Sequence, residues 1–257
     1  NGSSYDFQVF AVNAIGTSLG SPIITKTPVV AMAAFFDTSI VGYYNGVNSV
    51  ITASSNVVSA VSDISGVGGD LTGGSDTTTR PTTGLATLNG NNVFDFDGSN
   101  DYLDLPLSFE NLMNSTNNTM MFAFSLDDGA RLNTTQQAIF NASGELFLLC
   151  ARGDATKDWV TVQNAFGLEI ESVPVATTYI AVLRRTGSTL NFYLNGNLIA
   201  TGSASSQTVK SAWLGRVNAF YGALDGKIGA VVGYTKSLSN AEINTRAAAL
   251  VALYGGS

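Results

Sequence analysis

The chain has 257 residues, with 12 Lys+Arg against 19 Asp+Glu, no histidine and a single cysteine. That inventory excludes a Ser-His or Cys-His catalytic pair, an imidazole-bound metal, an internal disulfide framework and a thiolate cluster. A formal charge of −7 argues against binding through nucleic-acid phosphates, which takes a basic face, and no apolar run approaches the roughly 18 residues of a membrane-spanning helix.

At the N-terminus, Tyr5, Phe7, Val9 and Ala11 alternate with Asp6, Gln8 and Phe10, the period of a half-buried strand. Asn13-Ala14-Ile15-Gly16 then makes a turn before a Ser/Gly/Pro stretch. The run from Tyr5 to Gly16 resembles the penultimate strand of a fibronectin type III domain. The resemblance implies that residues 1–27 are the C-terminal strands of such a domain, the alternative being a hairpin of the domain that follows. Residue 1 is Asn1 and the opening residues lack a signal-peptide pattern, so the chain reads as a piece of a longer polypeptide.

Residues 28–257 read as one β-rich domain. Residues 45–92 look loop-like, with Gly66-Val67-Gly68-Gly69 and the run from Thr77 to Gly84. Strand signals follow at Val93–Phe96, Tyr102–Leu105, Thr119–Leu126, Ala138–Asn141, Leu146–Ala151, Trp159–Val162, Leu168–Ile170, Thr178–Arg184, Leu190–Leu194 and Leu198–Thr201. Short strands spaced by turns, with almost no helix, predict an all-β sandwich or barrel. Asn195-Gly196 suits a type I′ turn, where both central residues need positive φ, so the strands flanking it form a hairpin. Ser239 and Glu242 form a capping box, Ile243, Ala247, Leu250 and Val251 recur at helical spacing, and Gly255 is a stop; together they predict a short C-terminal helix.

Four motifs occur in order. Asp97-Gly98-Ser99-Asn100-Asp101-Tyr102-Leu103, Phe192-Tyr193-Leu194-Asn195-Gly196, the run Asp225-Gly226-Lys227-Ile228 to Tyr234, and Leu238-Ser239-Asn240-Ala241-Glu242-Ile243 resemble the signatures of laminin-G-like domains. These belong to the concanavalin A-like lectin/glucanase superfamily. The resemblance implies a two-sheet antiparallel jelly-roll sandwich with a short C-terminal helix. It implies no activity, because the fold carries lectins, glycosidases, calcium-dependent adhesion modules and inert modules alike. A second resemblance covers residues 29–106: Asp63-Ile64-Ser65-Gly66, Arg80-Pro81-Thr82 and the run Leu88-Asn89-Gly90 to Asp97-Gly98 are similar to tailed-phage virion proteins. It implies a place on a virion surface, the alternative being the extracellular space or a bacterial cell surface. Composition fits either, since only 12% of residues are charged and polarity comes from 52 Ser+Thr, 22 Asn and 27 Gly.

Candidate site residues fall into three groups. Asp97, Asn100, Asp101 and Asp225, with Asp95 and Asp104 beside them, form an acidic cluster of the oxygen-donor type that suits calcium, and laminin-G-like domains bind calcium at the sandwich rim with such residues. The alternative is that these carboxylates cap turns by bonding to nearby backbone. For a glycan, which is held by a stacking aromatic beside hydrogen-bonding side chains, the candidates are Trp159, Asn218 and Tyr221, drawn from a wider set that includes Trp213 and Arg216. Trp213 sits where the family has a core strand, which implies burial. Third, Glu169 and Glu171 would share a strand face, but no Asp lies between them and no third acid follows, so the acid triad of this superfamily's glycosidases is absent.

The expected function is therefore a non-enzymatic virion structural or adhesion module of a phage tail, fibre or capsid-surface protein that binds host-surface glycans. The alternatives are a carbohydrate-binding module of a secreted or cell-surface bacterial protein, and after that a glycoside hydrolase. Expected partners are other virion proteins, host-surface glycans and further copies of the chain, with no nucleic acid and no membrane insertion.

Overall fold

The computed structural model of the chain describes residues 5–7, 12–13, 16–17, 24–26, 32–127, 137–143, 148–153, 158–163, 168–171, 177–204, 208–216 and 222–256. Near the N-terminus lie β1 (Tyr5–Phe7), β2 (Val12–Asn13), β3 (Gly16–Thr17) and β4 (Ile24–Lys26), with β1 paired to β4 and β2 to β3. Among the described residues neither small ladder pairs with the strands that follow.

The main body contains β5 (Ile40–Asn45), β6 (Ile51–Ser54), β7 (Val57–Val61), β8 (Leu71–Gly73), β9 (Thr82–Leu88), β10 (Asn91–Asp97), β11 (Leu103–Asp104) and helix α1 (Leu107–Asn114). Then come β12 (Asn117–Leu126), β13 (Gln137–Ala142), β14 (Leu148–Gly153), β15 (Asp158–Gln163) and β16 (Leu168–Glu171). The chain closes with β17 (Thr178–Thr186), β18 (Thr189–Leu194), β19 (Asn197–Ser203), β20 (Ala212–Leu214), β21 (Asp225–Tyr234) and helix α2 (Asn240–Tyr254).

Among the described residues every strand ladder is antiparallel, and one isolated bridge, Gln137 to Gly222, is parallel. The first layer runs β19-β18-β17-β12-β21, and the far edge of β21 is shared by β5 and β10. The second runs β6-β7-β8-β11-β20-β13-β14-β15-β16. The β9–β10 hairpin joins them, since β10 pairs with β21 while β9 reaches β7 at Thr82 opposite Val57. One curled sheet is thus folded over on itself into the two-layered, all-β jelly roll that the sequence motifs imply.

Strand alternation creates two cores. On β12, Met120, Phe122, Phe124 and Leu126 enter the space between the layers, where Phe96, Phe140, Leu183 and Leu214 meet them. Met121 and Ala123 face the other way, into a second core with Tyr43, Ile180, Val182 and Val232 that α2 covers through Ile243, Ala247, Leu250, Leu253 and Tyr254. Both faces of β12 are covered, so its sequence is a continuous apolar run rather than an alternating one. On β21 the register jumps at Gly229, a β-bulge that lets Ile228 and Val231 both face the inter-layer core. A Cβ at Gly229 would lie 2.6 Å from the Tyr254 ring, so α2 packs there against bare backbone.

Helix α2 begins at the expected capping box: the Glu242 N–H donates to Ser239 Oγ at 3.3 Å and the Ser239 N–H to Glu242 Oε2 at 2.8 Å. Its far end is clasped from a distance, because the Asn91 amide donates to Leu253 O and Thr178 Oγ1 donates to Tyr254 O at 3.0 Å. Such donors satisfy the last carbonyls of a helix, which have no partner within it.

Two expectations need correction. Residues 45–92 are not a loop; they hold β6 to β9. These strands are rich in Thr and Ser and mostly half-exposed, so the apolar alternation that marks a strand is faint. Turn chemistry carried the missing signal: Ser55 and Asn56 (φ 51° and 68°) join β6 to β7, and Asn89 and Gly90 (φ 50° and 75°) join β9 to β10. The second omission is α1, which starts after Pro106 and buries Phe109, Leu112 and Met113 at helical spacing. The hairpin at Asn195-Gly196 forms as expected, with φ of 50° and 84°.

Candidate functional site

The acidic cluster lies at one rim, where β10 ends opposite the start of β21. Asp97 faces Asp225 across the ladder and Asp95 faces Lys227. After Asp97 the chain turns through Gly98, at φ 75°. Asp97 Oδ1 accepts the Ser99 N–H at 2.9 Å, and Asp101 Oδ2 accepts the Asp97 N–H at 3.1 Å. Lys227 Nζ bonds both carboxylate oxygens of Asp127 and stands 3.9 Å from Asp95. The structure therefore does bring Asp97, Asp101 and Asp225 together, with Asn100 in the same turn. Yet the Asp97 and Asp101 carboxylates already hold backbone N–H groups, and among the described residues no three Asp, Glu or Cys side chains converge on one point. Among the described residues these side chains alone do not make a carboxylate cage.

The buried position of Asp101 has a measurable consequence. Burial, reinforced by the negative charges of Asp97 and Asp95, pushes its carboxyl from an ordinary 3.8 up to about 6. The folded state therefore holds this proton more tightly than the unfolded chain does. Its effect on stability is most favourable below the unfolded value and is lost as pH rises through about 6. The melting temperature is expected to fall between about pH 4 and pH 8, and Asp101→Asn, which keeps an acceptor for the Asp97 N–H, is expected to flatten that slope. Parallel melting curves for the two proteins would contradict this.

A second constellation lies next to that rim, on the outer face of the second layer. On β20, Ala212 and Leu214 point into the core, so Trp213 points out, half-buried. This corrects the expectation of a buried Trp213: the strand is a core strand, but this position is on its outer side. Across the ladder Trp213 lies opposite Asp104 of β11 on one side and Asn141 of β13 on the other, and Asp104 lies opposite Thr72 of β8. Cross-strand partners share a face, so Thr72, Asp104, Trp213 and Asn141 form one row.

Gly215, at φ 76°, turns the chain after β20 and brings Arg216 back over that row. The guanidinium lies 4.3 Å from the centre of the Trp213 ring and 4.9 Å from that of Tyr102. Tyr102 is anchored in turn, its hydroxyl accepting the Ser75 N–H at 3.0 Å. Burial raises the Asp104 carboxyl, while the Arg216 charge and a hydrogen bond from Trp213 act in the opposite direction. Asn141, 3% exposed, donates to Arg216 O at 3.2 Å, and among the described residues its Oδ1 has no hydrogen-bond partner. Aromatic surface, a guanidinium, a carboxylate and an amide are thus held side by side by mutual contacts.

Of the other predicted glycan residues, Trp159 lies on β15 opposite Arg152 and Glu171, with its side chain outside the described residues. Asn218 and Tyr221 also lie outside the described residues. Glu169 and Glu171 sit on β16, the last strand of the second layer. A shallow groove of about 430 Å³ between the Asn195-Gly196 turn and α2 is lined by Asn197, Asn244, Ala247 and Val251, with neither ring nor charge.

The family model of the concanavalin A-like lectin/glucanases superfamily matches residues 97–244. No curated protein matches the sequence. Among solved structures, the sialidase of Trypanosoma rangeli in complex with sialic acid aligns at 15% identity and a TM-score of 0.62, over 87% of this chain and 34% of that one. This chain thus spans about a third of the sialidase's length. The binding domain of botulinum neurotoxin serotype D aligns at 16% identity and a TM-score of 0.55, over 82% and 51% of the two chains. Domain 4 of an extracellular arabinanase from Geobacillus stearothermophilus, in complex with arabinotriose, aligns at 16% and 0.56, over 81% and 98%. At these identities the likeness is one of fold.

Proposed function

Because the chain belongs to the concanavalin A-like lectin/glucanases superfamily, a fold whose function lies in the site it carries, we propose that it is a non-catalytic glycan-binding module. The contact face is Tyr102, Asp104, Trp213 and Arg216. The observation that carries this reading is the meeting of those four side chains on an outward sheet face. A carboxylate accepts from sugar hydroxyls, a guanidinium donates to them, and the aromatic side chains beside them supply apolar contact area. The four restrain one another, which lowers the ordering cost of binding.

The arabinanase domain seen with arabinotriose supports the reading, since this chain covers 98% of its length. The missing acid triad supports the non-catalytic part. We place the module on a virion surface, in a tailed-phage tail, fibre or capsid-surface protein, next to a fibronectin type III-like unit in residues 1–27 and in contact with host-surface glycans and further copies of itself. Support for that placement is the resemblance of residues 29–106 together with the weakly charged composition. The arabinanase likeness favours the second reading, a carbohydrate-binding module of a secreted or cell-surface bacterial protein.

The test is a glycan array and host-cell binding assay on the full chain, run with calcium and with EDTA, beside Trp213→Ala. Wild type is expected to bind a defined glycan class, and the variant to bind roughly tenfold more weakly with an unchanged melting temperature. A calcium requirement would bring the Asp97–Asp101 rim into the site. Absence of binding in either condition would sink the glycan reading and leave a structural role.

A further inference from the structure

Arg216 differs from the other arginines whose side chains are described. Arg80 Nε donates to Gly74 O at 2.7 Å, and Arg184 donates to Leu238 O and to Asn240 Oδ1. Arg185 donates to Gly187 O and Met113 O, and Arg246 to Asp37 Oδ2 at 2.7 Å. These four serve the fold. Arg216 instead lies over two rings, and among the described residues no carbonyl or carboxylate accepts a hydrogen bond from its guanidinium.

Charge placement sharpens the contrast. With the guanidinium over both rings, its N–H edge is the part that no described residue accepts from, and the edges of aromatic rings carry the positive end of their quadrupole. A planar cation fixed in this way matches a carboxylate that takes two parallel N–H···O bonds, a geometry a lysine does not offer. A neutral hydroxyl would accept a single bond, without the second parallel contact and without the attraction of opposite charges. Asp104, opposite Trp213 on the neighbouring strand, works against a second carboxylate by its own charge.

We infer that Arg216 reads the carboxylate of an acidic sugar, with Trp213 and Tyr102 holding its guanidinium in place. The inference rests on the glycan-binding reading and narrows its ligand. A uronate and a sialate present the same group, and the test separates them.

The experiment is calorimetric titration of the full chain with trigalacturonate, its methyl ester, sialyllactose and lactose. One of the two acids is expected to bind roughly tenfold or more tightly than its neutral counterpart. Arg216→Gln should erase that difference at an unchanged melting temperature. Asp104→Asn, which is close to isosteric, should tighten the acid a few-fold by removing a like charge. Equal binding of acid and neutral sugar, a difference that survives Arg216→Gln, or a looser acid complex in Asp104→Asn would overturn the inference and leave the glycan reading in place. Failure of all four sugars and of the array would remove both.

Discussion

Asp63→Ala is expected to lower the melting temperature by roughly 6–12 °C, corresponding to about 3 kcal/mol in a domain of this size. The Asp63 side chain organises the whole connection from β7 to β8. Its Oδ1 accepts the N–H groups of Tyr43 at 2.8 Å and Ser65 at 2.9 Å. Its Oδ2 accepts Ser65 Oγ at 2.6 Å and the N–H groups of Val67 at 3.0 Å and Gly68 at 2.7 Å. The Tyr43 bond ties the loop to β5, and the hydroxyl of the fully buried Tyr44 donates to Gly69 O at 2.5 Å just beyond. Hydrogen bonds to an ionised carboxylate are among the stronger ones, and truncation leaves several donors without an acceptor. The contributions overlap, so the total is well below the sum of the five bonds. Thermal melts of the two proteins decide it, and a loss below about 2 °C would mean that the loop organises itself.

Gly215→Ala is expected to cost about 2–4 kcal/mol and, on the proposed glycan-binding reading, to abolish that binding. The residue has φ 76°, in the left-handed region where a Cβ is unfavourable by about 1 kcal/mol. The added methyl would also lie 2.4 Å from Phe96 Cδ1, in a ring that is 1% exposed and has nowhere to go. Gly215 further accepts the Leu224 N–H and donates to Ile139 O, so a shift there moves the approach to β21 as well. Arg216 is the next residue, and moving it by an ångström takes its guanidinium out of contact with Trp213 and Tyr102. Gly90→Ala is the control: it has φ 75° with nothing within 4 Å of the added atom, so it should show the backbone cost alone. Equal losses at the two glycines would refute the steric part of the argument.

Asp63 and Gly90 show how far the sequence could be read. Asp63-Ile64-Ser65-Gly66 stood out as a motif, and in the structure Asp63 is the acceptor that shapes a loop. Asn89-Gly90 stood out in the same way, and it is a left-handed turn whose neighbour Asn91 clasps the end of α2. Both were noticed through the resemblance of residues 29–106, and their turn geometry, which is decided within a few bonds, is what the structure adds. Residues 45–92 misled for the converse reason. Their strands are half-exposed and polar, so hydrophobic alternation, the main strand signal, had little contrast.

At the candidate site, Trp213 and Arg216 were legible as residue types able to hold a sugar. Asp104 and Tyr102 were seen as part of a fold motif and as a member of an acidic run, with no sign that they would meet β20. By itself the sequence determined the all-β class, the hairpin at Asn195-Gly196, the limits of α2 and the superfamily, all of which follow from local periodicity, turn chemistry and motif order. Only the tertiary structure decided that β11 pairs with β20, that the outer side of β20 carries Trp213, and that α2 covers the first layer while Trp213 remains half-exposed on the second. Alternation says which residues share a face, but which face another layer covers depends on pairings between segments far apart in the chain, and those are settled by packing.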